Sequence, residues 1–292
     1  MNEIEKMNIQ WYPGHMTKTR RQMEQDLKQV DAVCEIVDAR IPMSSRNPDI
    51  DSICANKPRI IVLNRMDLAD PAATKRWAAY FKSKGMVVIS TDCKSRKGIT
   101  DFSPAARTAC AEKVARDAAR GMNRPLRVMI VGIPNVGKST LINQIAGRKG
   151  AKAENRPGVT RGKQWVTVDN NLLLLDTPGI LWPKFEDPQV GLMLAFTGAV
   201  KEDVLDVEDL AARLMLLLWQ RYPDKVKERY GIDCEPDAPA WELLEAAGRK
   251  RGYLMARGEI NLERMAKVLL DEFRSGKLGR FTLEEPEEQI NG

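Results

Sequence analysis

The stretch GIPNVGKS, residues 132–139, limits the folds open to this chain more than any other. It fits the pattern GxxxxGK[ST], it follows the aliphatic run LRVMIVG (126–132), and a segment of helical pattern comes after it. A strand, a glycine loop and a helix in that order belong to an α/β domain with a parallel sheet. Gly132 and Gly137 let the backbone curl until its N–H groups point at phosphate oxygens. The expected phosphate contacts are Asn135, Val136, Gly137, Lys138, Ser139 and Thr140. Lys138 would bring positive charge to the β and γ phosphates as a catalytic group, and Ser139 a hydroxyl to Mg²⁺.

Other short runs rich in aliphatic residues read as buried strands: AVCEIVD (32–38), RIIVLN (59–64) and MVVIS (86–90). KQWVTV (163–168) and NLLLLD (171–176) flank Asp169-Asn170, the expected hairpin turn. These runs predict a doubly wound, mostly parallel, six-stranded sheet over residues 1–186. From about residue 187 the pattern is helical only, in DVEDLAARLMLLLWQRY, WELLEAAGRKRG and INLERMAKVLLDEF, which predicts an all-helical domain over 187–292. The acidic end, LEEPEEQING, is expected to fray.

Two more motifs sit at strand ends. DTPG (176–179) puts the Asp176 carboxylate where it can hold Mg²⁺ directly or through water, and the Gly179 N–H where it can reach a γ-phosphate. RPGVT, between the two motifs, puts Thr160 where its hydroxyl could complete the metal shell when the γ-phosphate is present. NRMD (64–67) is one residue away from the NKxD pattern that reads guanine. The Asp67 carboxylate would accept from the base N1–H and 2-amino group, which adenine cannot offer. Asn64 would brace the site, and Arg65 replaces the usual lysine. As a bare string, NRMD is equally compatible with an Asx turn. The loop near 90–98 should carry a second base contact, but no clean pattern assigns its atoms. In Ras-like GTPases the phosphate loop comes first and the guanine motif late; here the order is reversed, which is a circular permutation. RDAARGMNRP (116–125) is the candidate join.

Net charge is +6, from 46 Lys and Arg against 40 Asp and Glu, and suggests an anionic partner without establishing one. No apolar run approaches the length of a membrane span and the first residues lack a signal-peptide core, so the chain is expected to be cytoplasmic, off the membrane and monomeric. Five scattered cysteines, without a CxxC pair, read as reduced thiols.

WYPGHM (11–16), DARIPMSSRNP (38–48), NRMD, GIPNVGKSTLIN, RPGVT and DTPGILWPKFED, in this order, resemble the ribosome biogenesis GTPase A family of circularly permuted GTPases over nearly the whole chain. The resemblance implies binding of GTP and GDP and GTP hydrolysis late in assembly of the large (50S) ribosomal subunit. It also implies activation by ribosomal particles and contacts to rRNA and ribosomal proteins. The helical domain would resemble an RNA-binding ANTAR domain, with Arg249, Lys250 and Arg251 as candidate contacts; a solvated charge run is the other reading. Ile180 stands where many Ras-like enzymes keep a water-orienting glutamine, and the resemblance carries that catalytic role to His15, the only histidine. Read from its residues alone, His15 is equally a structural histidine in a Pro-Gly turn. In related GTPases an asparagine at the position of Asn135 helps hold K⁺, the alternative being a loop-bracing amide. The rival functions are a nucleotide-sensing RNA-binding switch with little hydrolysis, and a GTPase serving another RNA-linked process.

Overall fold

The computed structural model describes residues 16–54, 56–147, 164–179, 187–200 and 206–286. His15, Thr160 and Ile180 lie outside the described residues. Two compact units emerge: one of described residues 16–179 and 284–286, the other of described residues 187–283.

The first unit is built on β1 (Ala32–Asp38), β2 (Arg59–Asn64), β3 (Val87–Thr91), β4 (Leu126–Val131), β5 (Gln164–Asp169) and β6 (Leu172–Asp176). They form one sheet in the order β3-β2-β1-β4-β6-β5, parallel except for β5, which runs antiparallel to β6. β4, which delivers the phosphate loop, is fourth in the chain yet central in the sheet, as a permuted Ras-like domain requires. The two-residue hairpin is Asn170-Asn171 rather than Asp169-Asn170: Asp169 still pairs with Leu172, and its carboxylate accepts from Asn171 N–H at 2.7 Å. The short Asp side chain caps the turn from the last strand position.

All seven residues of β1 are buried, so both faces of the sheet are covered. Val33, Glu35 and Val37 share one face by the two-residue period of a strand. On it, α1 (Met16–Leu27) lays Met23 and Leu27 against Val33, Met129 and Val131. α3 (Pro71–Ser83) lays Trp77 and Phe81 against Val37, Ile61 and Leu63. Asp70 fixes the start of α3 by accepting from Ala72 and Ala73 N–H, with Pro71 preset for the first turn. Glu35, wholly buried between the two clusters, is held by Arg46 and Arg59.

α2 (Asp49–Ile53) follows β1, and α4 (Phe102–Ala109) and α5 (Ala111–Ala119) follow β3. The join between the permuted halves is shorter than expected, because residues 116–119 finish α5 and only 120–125 are not helical. α6 (Lys138–Ala146) starts at the phosphate loop. The acidic end does not fray at Glu284 and Glu285. Glu284 accepts from the N–H of Met43 and Ser44, its carbonyl accepts from Trp77 Nε1, and Glu285 takes Arg76 in a forked pair, all within this unit.

The second unit holds α7 (Pro188–Phe196), α8 (Val207–Arg221), α9 (Pro223–Tyr230), α10 (Ala240–Lys250) and α11 (Leu262–Ser275). Leu210, Leu214 and Leu218 make one buried stripe of α8, which packs against α10 and α11, where Leu243, Leu244, Leu269 and Phe273 are buried as well. Asp187, Asp206 and Asn261 cap α7, α8 and α11. No described helix is long and apolar enough to cross a membrane. The five cysteines are free thiols, four of them buried.

Candidate functional site

Strand register lines up the functional ends of the sheet. Asp38 pairs with Asn64 and Asn64 with Thr91, so the carboxyl ends of β1, β2 and β3 form one row. Ile130 of β4 stands opposite Asp176 of β6, which brings the start of DTPG beside the strand that feeds the phosphate loop. Loops at the carboxyl edge of a parallel sheet are where such domains bind ligands.

Asn64 joins two sequence motifs that lie some seventy residues apart. Its Nδ2 donates to Val136 O in the phosphate loop at 2.8 Å, and its Oδ1 accepts from Thr91 Oγ1 at 3.1 Å and Cys93 Sγ at 3.2 Å. The amide is nearly buried and satisfied at both ends. A Cβ on Gly137 would stand 2.4 Å from Asn64 Nδ2, and Gly137 has φ 105°, so both packing and backbone require glycine there. Arg65, next in the motif, donates from Nη2 to Asn135 O at 2.7 Å. Arg65 and Asn135 are both left-handed, at φ 59° and 60°, a conformation that non-glycine residues adopt mainly where surroundings hold them. Asp67 is half-buried in the turn that follows, in which Leu68 N–H bonds Arg65 O and Met66 N–H bonds Thr91 O.

The stretch near 90–98, unassigned from sequence, therefore holds two residues of the site, Thr91 at the end of β3 and Cys93 in the loop after it. Their signal was a hydroxyl and a thiol just past an apolar run, too common to single out. Burial pushes the Cys93 thiol up to about 11, so it stays protonated and serves as a donor.

On the phosphate side, Lys138 begins α6 and is buried. Its Nζ donates to Gly132 O at 2.9 Å and Ile133 O at 2.7 Å. Burial pulls the lysine down to about 8, against the opposing pull of Asp176. Burial likewise raises the Asp176 carboxyl above its ordinary value, Lys138 and the Thr177 N–H working the other way. Asp176 Oδ1 is buried without a hydrogen-bond partner. Gly179 approaches closely: a Cβ there would meet Lys138 Nζ at 2.8 Å and Pro134 Cα at 3.0 Å. Ser139 and Thr140, in the first turn of α6, are exposed.

These residues fit a hard divalent cation. One orphaned carboxylate oxygen and a serine hydroxyl leave the rest of an oxygen shell to phosphate and water, which suits Mg²⁺. Among the described residues no cluster of three or more His, Cys, Asp or Glu could hold a metal unaided.

In the helical unit, Arg249 and Lys250 are exposed at the end of α10. Arg251 is turned to internal use: its Nη2 stands 3.7 Å from Glu272 Oε1 and its head group lies 5.3 Å from the Tyr230 ring. Of the basic residues along α11, Lys267 pairs with Glu263, and Arg274 caps Ala195 and Phe196 carbonyls. The face of Tyr253 is covered by Arg264 at 4.5 Å.

Comparison with known proteins is consistent across sequence and structure. A family profile described as 50S ribosome-binding GTPase matches residues 127–229, starting at β4. Ribosome biogenesis GTPase A of Priestia megaterium is 48% identical over 284 residues, covering 97% of this chain and 98% of that protein. The protein of the same name from Bacillus cereus is 49% identical over 283 residues, covering 97% and 95%. The GDP-bound structure of YlqF superimposes with a TM-score of 0.62 at 29% identity, over 92% of this chain and 100% of that one.

Proposed function

This chain belongs to the ribosome biogenesis GTPase A family of GTP hydrolases, and from that premise we propose that it uses GTP hydrolysis during late maturation of the large (50S) ribosomal subunit, with ribosomal particles raising its turnover. The observation that carries the reading is the bond from Asn64 to Val136 O, which fastens a base-reading motif to a phosphate loop more than seventy residues away.

In this reading the base lies against the Arg65 stem and the loop after β3, and Asp67 accepts from the guanine N1–H and 2-amino group. Adenine offers an acceptor and a C–H there, so it leaves the carboxylate unpaired. The phosphates enter the curl of residues 135–140. Lys138, which donates hydrogen bonds to loop carbonyls in the free site, redirects them to β- and γ-phosphate oxygens, where its retained positive charge offsets the negative charge that builds up during transfer. Gly179 N–H would donate to the γ-phosphate. Ser139 and Asp176 would hold Mg²⁺, with Thr160 joining when the γ-phosphate is present, and the cation would supply positive charge against the phosphates. Asn135 would help hold K⁺ against the phosphates. His15 takes the role of orienting water, which Ile180 cannot fill. Arg249 and Lys250 supply phosphate contacts to rRNA.

The test is GTP turnover by the wild type and by His15→Ala, each alone and with purified large subunits, ATP serving as control. Subunits should accelerate the wild type, the variant should lose that gain while still binding GTP and subunits, and ATP should not turn over. If subunits bind without accelerating hydrolysis, the chain is a nucleotide-sensing switch, the alternative that Ile180 favours.

A further inference from the structure

Asp38 is a carboxylate at 3% exposure, and a charge that deep needs compensation. Arg40, itself fully buried, supplies it in full: its backbone N–H, Nε–H and Nη2–H donate to Asp38 at 3.0, 3.0 and 2.7 Å. Charge balance is complete without a second cation. Yet Arg65 Nη1 also stands 3.5 Å from Asp38 Oδ2, while Nη2 of the same head group bonds Asn135 O. Arg65 thus spans from Asp38 to the phosphate loop. A single ammonium has no fork with which to make both contacts, which gives a physical reason for arginine where the guanine pattern usually has lysine.

The left-handed backbone of Arg65 needs an anchor, and the two ends of this fork provide one. Burial works to raise the Asp38 carboxyl, but the two guanidinium groups carry it below the usual range, so it is ionised wherever the protein is folded and active. Asp38 is held in turn. Ser45 Oγ accepts from Asp38 N–H at 2.9 Å and donates to Ile41 O at 2.7 Å. The neighbouring N–H groups of Met43 and Ser44 donate to the Glu284 carboxylate at 2.7 and 3.1 Å.

We propose that Asp38 is a positioning residue for the guanine nucleotide: through the forked head group of Arg65 it sets the Asn135 carbonyl and the wall of the base site, and Glu284 steadies its loop from the far side. The inference rests on reading NRMD and GIPNVGKS as one guanine nucleotide site. Asp38 touches no nucleotide atom in this account, so its effect must pass through Arg65.

The experiment measures affinity for fluorescent N-methylanthraniloyl-GDP with Mg²⁺, using the full chain as wild type, Asp38→Asn, Arg65→Ala, Arg65→Lys, Asp67→Ala, Glu284→Ala, and each of Asp38→Asn and Glu284→Ala combined with Arg65→Ala. Arg65→Ala and Asp38→Asn should each weaken binding by about tenfold, and Glu284→Ala by about threefold. In the Arg65→Ala background neither carboxylate change should weaken it further, whereas a merely structural role would weaken it in both backgrounds. Asp38→Asn leaves Arg40 buried without its counter-charge. If it does not fold, Glu284→Ala, at a half-buried position, and Arg65→Lys decide the matter, the latter keeping the stem but losing the fork and so binding more weakly than the wild type and less weakly than Arg65→Ala. Folded Asp38→Asn or Glu284→Ala with wild-type affinity, or losses that add to that of Arg65→Ala, would overturn the proposal. Unchanged affinity in both Arg65→Ala and Asp67→Ala would instead overturn the reading of the site itself.

Discussion

The two sides of the nucleotide site differ in how finished they are. On the base side the residues that meet the phosphate loop are partnered: Asn64 is bonded at both ends, Arg65 bridges two elements, and Asp38 holds a forked pair, while the unpartnered Glu35 Oε1 and Arg59 Nε lie three residues back along β1 and at the start of β2. On the phosphate side Asp176 keeps an orphaned oxygen, and Lys138 leans on carbonyls at a depressed pKa. The base side is preorganised by the fold, whereas the phosphate side stores unfavourable burial that an anion and a cation would relieve. Under the proposed reading this is a division of labour: one half would supply specificity before the ligand arrives, the other would gain most of its stabilisation from the ligand.

Mutations should therefore act differently on the two sides. The largest expected effect is that of Lys138→Ala, which should lower GTP turnover by at least about 100-fold, as loss of a transition-state donor does. Because the free protein pays to bury this ammonium, thermal denaturation of the nucleotide-free variant should show no loss of stability. A fall of several degrees would mean that the phosphate side is as settled as the base side.

Asn64→Ala should do the reverse to the free protein. It removes the partner of Thr91, Cys93 and Val136 together, so the nucleotide-free form should lose about 1–3 kcal/mol, the cost of leaving buried groups unpaired. Denaturant unfolding reads this directly. If Asn64→Ala is as stable as the wild type, the base side is organised by the nucleotide and the contrast disappears.

A subtler effect concerns pH. With Lys138 near 8 in the free protein and raised once phosphates surround it, binding takes up no proton below pH 8 and up to one above it. Affinity should hold steady to about pH 8, then fall as pH rises, with a limiting slope of about tenfold per unit. Calorimetry in buffers of different ionisation heat measures the proton taken up. Stability of the free protein should move the opposite way: the unfolded chain binds the Lys138 proton more tightly than the folded one, so this group makes stability rise between about pH 8 and 10. Lys138→Ala should erase both trends.

Much of the molecule was legible because its strands are short apolar runs and its motifs sit where those runs end. β1, β2 and β6 begin or end within one residue of the expected positions, and the phosphate loop and NRMD meet as their chemistry requires. What stayed hidden was buried polar structure. Arg40, Arg46 and Ser45 lie in a loop of mixed polarity that reads as surface, because pairing with a partner many residues away leaves no local pattern. The one clue was Glu35, a charge in the middle of AVCEIVD, where solvation is impossible and a partner is obligatory. Glu284 and Glu285 resembled a solvated tail for the same reason: an acidic residue that accepts from backbone N–H looks like any other acidic residue. The helical stripe of α8 could be read from its period, but nothing in the sequence separated Arg251, which serves the interior, from Arg249 and Lys250, which face solvent.

The most direct test of the central claim, that Asp67 reads guanine on a preformed base side, is nucleotide choice by Asp67→Asn, measured as binding and turnover of GTP against xanthosine triphosphate. Asparagine replaces the double acceptor by one donor and one acceptor, which matches the C2 carbonyl and N1–H of xanthine and mismatches the 2-amino group of guanine. The account predicts that the variant prefers xanthosine triphosphate by about 100-fold while the wild type prefers GTP by a similar factor. A variant that keeps the wild-type preference would show that Asp67 does not read the base, and that NRMD is a turn after a strand and nothing more.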